Sequence, residues 1–355
     1  MLAISKAPSN LALRARGTNP APCGLYSPMT HDDINRPSSN RLGRAGVAGL
    51  GLAAAGAGLA LASELLGRNA ERKVPADGHF LYVEGARLHF VDRGSGPPIV
   101  MVHGLGGQLR NFTHSLTELL EKDFRVIAVD RPRSGYSSAR LGTEPNIRDQ
   151  GRLVAYLIDK VGLERPLLVG HSLGGAVALA AALAAPERLG GLALLAPLTQ
   201  VLDKVPDAFR ILQRDSKLGR AAVARLFGVP LGRLARRRAE REIFGPDPAP
   251  ADFGTRGGGL LALRPGNLDA GMFELGAARD DLRAMVPQYP SLDLPVSILF
   301  ARGDQLLDPG LHGRRTAEKI PGAVYEEIEG GHMVPITHSE ACARVIRAAQ
   351  ARIKR

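Results

Sequence analysis

At 355 residues and 45% hydrophobic, the chain is long enough for one large α/β domain with an insertion, or for two ordinary domains. Aromatics are only 5% and tryptophan is absent, so Ala, Leu, Val and Gly must fill the core. The formal net charge of +11 would suit nucleic acid or anionic lipid. No aromatics interleave with the run Arg233, Arg236, Arg237 and Arg238, and no nucleic-acid-binding motif is present, so a nucleic-acid partner is not expected. Cys23 and Cys342 lie far apart without further Cys or His at ligand spacing, which argues against a disulfide framework or a metal site. No cofactor is expected either.

Residues 1–44 are rich in Ser, Pro, Asn and Arg, lack apolar periodicity, and read as disordered. Ala45–Ala62 follows as 18 uncharged residues, close to the roughly 20 that span a bilayer. Continued to Leu66, this stretch is expected to be a membrane anchor or a signal segment. Arg41 and Arg44 just before it predict an N-terminus in the cytoplasm and the rest of the chain on the extracytoplasmic side. Ala60-Leu61-Ala62 offers an A-x-A site, and cleavage there would give a secreted or periplasmic protein. A soluble Ala/Gly helix is a third reading. Residues 68–73 then read as a charged linker.

From about residue 78, β-type runs alternate with helical ones. FLYV at 80–83 and RLHFV at 87–91, bounded by Gly85 and Gly94, read as an antiparallel opening pair. Strands over PIVMV, RVIAVD, LLVGHS, LALLAP, PVSILFA and AVYEEI follow, with helices over 108–121, 147–161 and 173–185. This order predicts an α/β fold whose mostly parallel eight-stranded sheet carries helices on both faces. Across 198–290 the alternation stops in a helical, arginine-rich stretch with several prolines. That stretch reads as an insertion, leaving a core of 78–197 and 291–355.

Gly170-His171-Ser172-Leu173-Gly174 matches G-x-S-x-G directly after a buried strand and opens an Ala-rich helix. A nucleophile elbow needs that context, because the serine sits on a turn too sharp for bulky neighbours. Acyl transfer also needs two backbone N–H donors aimed at the developing oxyanion. Leu173 and Leu105, the latter in His103-Gly104-Leu105-Gly106-Gly107, are the candidates. A serine hydroxyl needs a base. His332, in Gly330-Gly331-His332-Met333 past the final strand, is placed to serve, ahead of His312 and His338. His171 should point away from the hydroxyl. Asp304, just beyond SILFA, is expected to orient the imidazole, while Asp308 before Pro309 looks like a helix N-cap.

With VHGLGG at 102–107, DRPRSGYS at 130–137, GHSLGG at 170–175, the Asp after SILFA and GGHM at 330–333, the chain resembles the α/β-hydrolase superfamily. It looks most like bacterial carboxylesterases and monoacylglycerol-lipase-like enzymes with an N-terminal apolar segment. The resemblance implies that 198–290 forms a cap over the active site. Arg133 stands where the family usually has glycine, which puts the local turn in question. Ser172 argues against epoxide hydrolases and haloalkane dehalogenases of this fold, which use an aspartate nucleophile. A carboxylic ester with a lipid-like acyl chain is the expected substrate. Thioesterase, carbon–carbon hydrolase, perhydrolase and non-catalytic receptor roles are the alternatives.

Overall fold

The structure is a computed structural model that describes residues 41–202 and 216–354. The disorder expected of 1–40 and the part of the insertion at 203–215 lie outside the described residues. Helix α1 runs unbroken from Arg41 to Lys73 and so takes in both 41–44 and the stretch read as a linker. Its 33 residues give a length of about 50 Å. Gly46–Lys73 is long and apolar enough to cross a membrane, and only 6% of its most apolar window is buried, unlike the core helix of a soluble protein. The buried residues come at its end, Ser63, Gly67 and Ala70, with Val74 just past it, one stripe at helical spacing. Gly67 lies against Arg264 and Pro265, and Ala70 and Val74 pack with Leu261 beside Tyr136. Glu71 accepts a hydrogen bond from Arg264 at 2.8 Å. The segment is therefore docked, not free.

The sheet has strands β1 (His79–Val83), β2 (Ala86–Arg93), β3 (Pro98–Val102), β4 (Arg125–Val129), β5 (Ser138–Ala139), β6 (Leu167–His171), β7 (Gly191–Leu195), β8 (Val296–Ala301) and β9 (Val324–Ile328). Eight of them run in the order β1-β2-β4-β3-β6-β7-β8-β9, and the two-residue β5 pairs with β2 off this path. The pairs from β4 to β9 are parallel, and β2 is antiparallel to its neighbours. Strands β6, β7 and β8 are buried throughout, hence their continuous Val, Leu, Ile and Ala runs. Helix α2 (Ile147–Val161) is capped by Asn146 and Asp149 in a reciprocal capping box. It packs on α3 (Leu173–Ala184), whose small side chains allow close approach. The helix expected over 108–121 is two short pieces, Arg110–Thr113 and Leu116–Leu120.

The insertion contributes α4 (Lys217–Val223), a wider turn over Ala224–Gly228, α5 (Val229–Phe244) and α6 (Pro265–Met285). Its expected boundary is blurred in space, because Ala278, Leu282 and Met285 of α6 belong to the main core. The last helix, α7 (Ser339–Ala351), covers the sheet near β7 and β8.

Candidate active site

The candidate groups sit where parallel strands end. Ser172 follows β6 with φ 54° and ψ −122°, a left-handed conformation rarely held by a residue with a side chain. A Cβ on Gly170 would strike the Gly174 carbonyl, and one on Gly174 would strike Val102. The elbow is thus possible only with glycine on both sides, and its strain is held by close packing. Asp304 follows β8, and its Oδ1 accepts from the N–H groups of Leu306 and Leu307 at 2.8 and 3.0 Å. His332 follows β9, with Nδ1 2.7 Å from Asp304 Oδ2. Burial would push the Asp304 carboxyl up, but the His332 charge and hydrogen bond, with the two N–H groups, hold it below its ordinary value. The Asp304 carboxylate is thereby fixed as an acceptor.

Ser172 and His332 line the same two adjoining cavities, one of ≈250 Å³ under the cap and one of ≈30 Å³ beside Leu173. No hydrogen bond joins them in this state, a contact that in hydrolases often tightens only around substrate. Leu105 borders both cavities and Leu173 the smaller. Leu173 is the first residue of α3, so its N–H has no partner within the helix. Asp308 lies apart from the imidazole and accepts from Leu311 N–H, capping a helical turn as expected. His312 is buried elsewhere, its Nδ1 3.2 Å from the N–H groups of both Thr199 and Gln200.

Several supporting residues escaped the sequence reading. His171 Nε2–H donates to the His332 carbonyl at 3.0 Å. Burial, then the neighbouring His332, lowers its pKa to about 3, so it is neutral. Asp247 accepts from Gly331 N–H at 2.9 Å and pairs with His338 Nε2 at 3.0 Å, fixing the loop that carries His332. Arg131, 1% exposed, donates to the carbonyls of His103 and Gly104 at 2.9 Å each. The rest of its fork reaches Gln150 and, bidentately, Glu274 of α6. His103 Nδ1–H donates to Gly104 O, and its Nε2 accepts from Arg131 N–H, which sets one neutral tautomer. Burial, followed by Arg131, holds its pKa well below 6.5. The signal in the sequence was Arg131 inside DRPRSGYS, but its partner Glu274 is 143 positions away.

Arg133 resolves the question at the glycine-like position. Its φ is 66°, so the turn keeps the shape glycine would give. The side chain reaches Asp269 of α6 and, at 3.4 Å, Glu144. The non-glycine residue thus ties the cap to the turn. Asp130, fully buried, accepts from the N–H groups of Leu109 and Tyr136 at 2.7 Å each and anchors that turn from below.

Residues 97–339 match the family model described as the α/β hydrolase fold, and the chain belongs to that family. Among curated relatives, the dihydrolipoyllysine-residue acetyltransferase component of the acetoin cleaving system of Pseudomonas putida is 29% identical over 73% of this chain and 65% of its own length. The 2-hydroxy-6-oxo-6-phenylhexa-2,4-dienoate hydrolase of Comamonas testosteroni is 35% identical, over 31% of this chain and 40% of its own. The first relatives are thus matched over only about a third to two thirds of their length. Among solved structures, a bacterial membrane phospholipase A aligns with TM-score 0.62 and 21% identity, over 88% of this chain and 98% of that one. The enol-lactonase of Burkholderia xenovorans LB400 aligns with TM-score 0.61 and 23% identity, over 77% and 100%. At these identities the structural likenesses speak for the fold. The relatives include hydrolases of several bond types beside that acetyltransferase component.

Proposed function

We propose that this hydrolase cleaves carboxylic esters with lipid-like acyl chains through an acyl-enzyme on Ser172. The observation that carries the reading is the Asp304–His332 pair, 2.7 Å apart, opening on the same apolar cavities as a strained Ser172. His332 Nε2 takes the hydroxyl proton as Oγ bonds to the ester carbonyl carbon, while Asp304 holds the imidazole by Nδ1. The negative charge arising on the carbonyl oxygen is met by the N–H groups of Leu105 and Leu173. Collapse breaks the carbon–oxygen bond, and the leaving alcohol takes its proton from His332. Water, deprotonated by the same imidazole, then releases the acid and frees Ser172.

Apolar residues such as Ile243, Phe253, Leu263 and Met272 line the larger cavity, which suits a hydrocarbon chain. The exposed apolar run of α1 supports an anchor that holds the catalytic domain at the extracytoplasmic membrane face. Carbon–carbon hydrolysis is the competing reading, on the likeness to the dienoate hydrolase. A fluorophosphonate probe should label Ser172, and p-nitrophenyl esters from C2 to C16 should show rising kcat/KM with chain length. A purified protein that leaves all these esters intact but cleaves a 2-hydroxy-6-oxo-dienoate would reverse the choice.

A further inference from the structure

We infer that the outer face of the cap rests on an anionic phospholipid surface, and that substrate passes from that surface into the cavity behind α5. This rests on the reading of the protein as an anchored hydrolase and adds the surface through which it works. Leu231, Leu234, Arg238 and Arg241 of α5 recur at steps of three and four, the spacing of a single helix face, and Phe227 stands in the wider turn just before it. The apolar members are open to solvent, Leu234 at 84%, Phe227 at 51% and Leu231 at 46%. Three bulky apolar side chains running into arginines make the amphipathic pattern of a helix lying in a lipid interface. Arg237 and Arg241 have no carboxylate partner among the described residues, so their charge is free to meet phosphate headgroups.

Two further observations place lipid here in preference to another partner. First, α1 brings the bilayer to this spot. Leu66, four residues past Ala62 and so about 6 Å further along the helix, shares a cleft with Val229 and Arg233 of α5. A helix that leaves the membrane near Ala62 sets the first turns of α5 at the headgroups. Second, α5 has lipid-facing and substrate-facing sides at once. Gly232, Ala235 and Ala239, on the side away from Leu234, line the cavity that holds Ser172. One helix diameter, about 10 Å, then separates the proposed lipid surface from the cavity.

The absence of tryptophan makes the test direct. Full-length Leu234→Trp and Leu231→Trp are reconstituted into vesicles of phosphatidylcholine with one-quarter phosphatidylglycerol, with or without brominated acyl chains. Leu141→Trp, on a fully exposed core loop, is the control. Both cap reporters should shift to the blue and lose at least half their emission to brominated lipid, with the control unchanged. Arg237→Glu with Arg241→Glu should cut that quenching severalfold. The same double variant should slow hydrolysis of a vesicle-embedded long-chain ester about tenfold, with p-nitrophenyl butyrate in solution hydrolysed as before. Cap reporters unquenched in these vesicles overturn the inference, as does a blue shift without quenching, which would mean a protein cover. Equal quenching without phosphatidylglycerol overturns the anionic surface. Loss of probe labelling at Ser172 would strike the hydrolase reading alone, since quenching reports position and not chemistry.

Discussion

Ser172 and His332 on the floor of the cavity, with Asp304 behind the imidazole, are held largely by backbone constraints. Glycines flank the elbow, two N–H groups fix the Asp304 carboxylate, and the Gly330-Gly331 turn carries the histidine. The roof is held by charge instead. Glu274 binds Arg131, Asp269 binds Arg133, and Asp281 binds Arg148 at 2.9 Å. Floor positions are dictated by sterics and admit few residue types. Roof contacts could be exchanged for others of similar strength, which lets the cap vary while the floor stays fixed. The two regions should therefore fail in different ways when mutated.

The sharpest break is at the floor. Ser172→Ala should lose on the order of 10⁶ in kcat with an unchanged melting temperature, measured on the ester showing the highest turnover. Asp304→Asn should lose about 10³–10⁴ in kcat, the scale for a triad histidine deprived of its orienting carboxylate. Asp308→Asn, four residues past Asp304, should leave both kcat and stability near wild type, because Asn accepts from Leu311 N–H as Asp does. If Asp308→Asn damaged turnover more than Asp304→Asn at equal folding, the assignment of the acid would be wrong.

At the roof, stability should respond before chemistry. Glu274→Ala leaves the Arg131 charge buried and unpaired, and should cost about 3–5 kcal/mol in urea denaturation. Arg131→Met combined with Glu274→Leu should recover most of that stability. It should still lower kcat, because the His103 and Gly104 carbonyls lose their donors and the loop carrying Leu105 shifts. Full kcat in the double variant would show that the network serves folding only.

Acid should expose a third difference. His171 and His312 are held neutral by burial, with pKa values near 3 and 4 against 6.5 for a free side chain. Between about pH 6.5 and pH 4 the unfolded chain therefore binds more protons than the folded one, and stability falls as pH is lowered. The melting temperature should drop steadily over that interval, and His312→Gln should flatten the slope without moving kcat. The smallest effect is expected at Arg133. Relief of φ 66° in Arg133→Gly offsets the lost Asp269 contact, so stability should change by no more than about 1 kcal/mol. A higher KM for long-chain esters would be the visible result, as a loosened cap grips the chain less.

The placement of the floor residues was legible in the amino-acid sequence because the tight turns at strand ends restrict residue type. A strand followed by G-x-S-x-G, an aspartate just past a later strand, and Gly-Gly-His past the last one all announce themselves locally. Eight strands were legible as short β-type runs bounded by turn residues, the central ones continuously apolar, whereas the two-residue β5 leaves no periodic trace. The roof was not legible. Arg131 and Glu274, or Arg133 and Asp269, meet only after the cap folds over the sheet, and charged residues carry no period that marks a partner over a hundred positions away. The charged stretch after the apolar run looked like a linker because Arg, Glu and Lys suit solvent. Only the packing of Gly67, Ala70 and Val74 made it a docked helix end, since small residues reveal a contact surface once a partner is set against them.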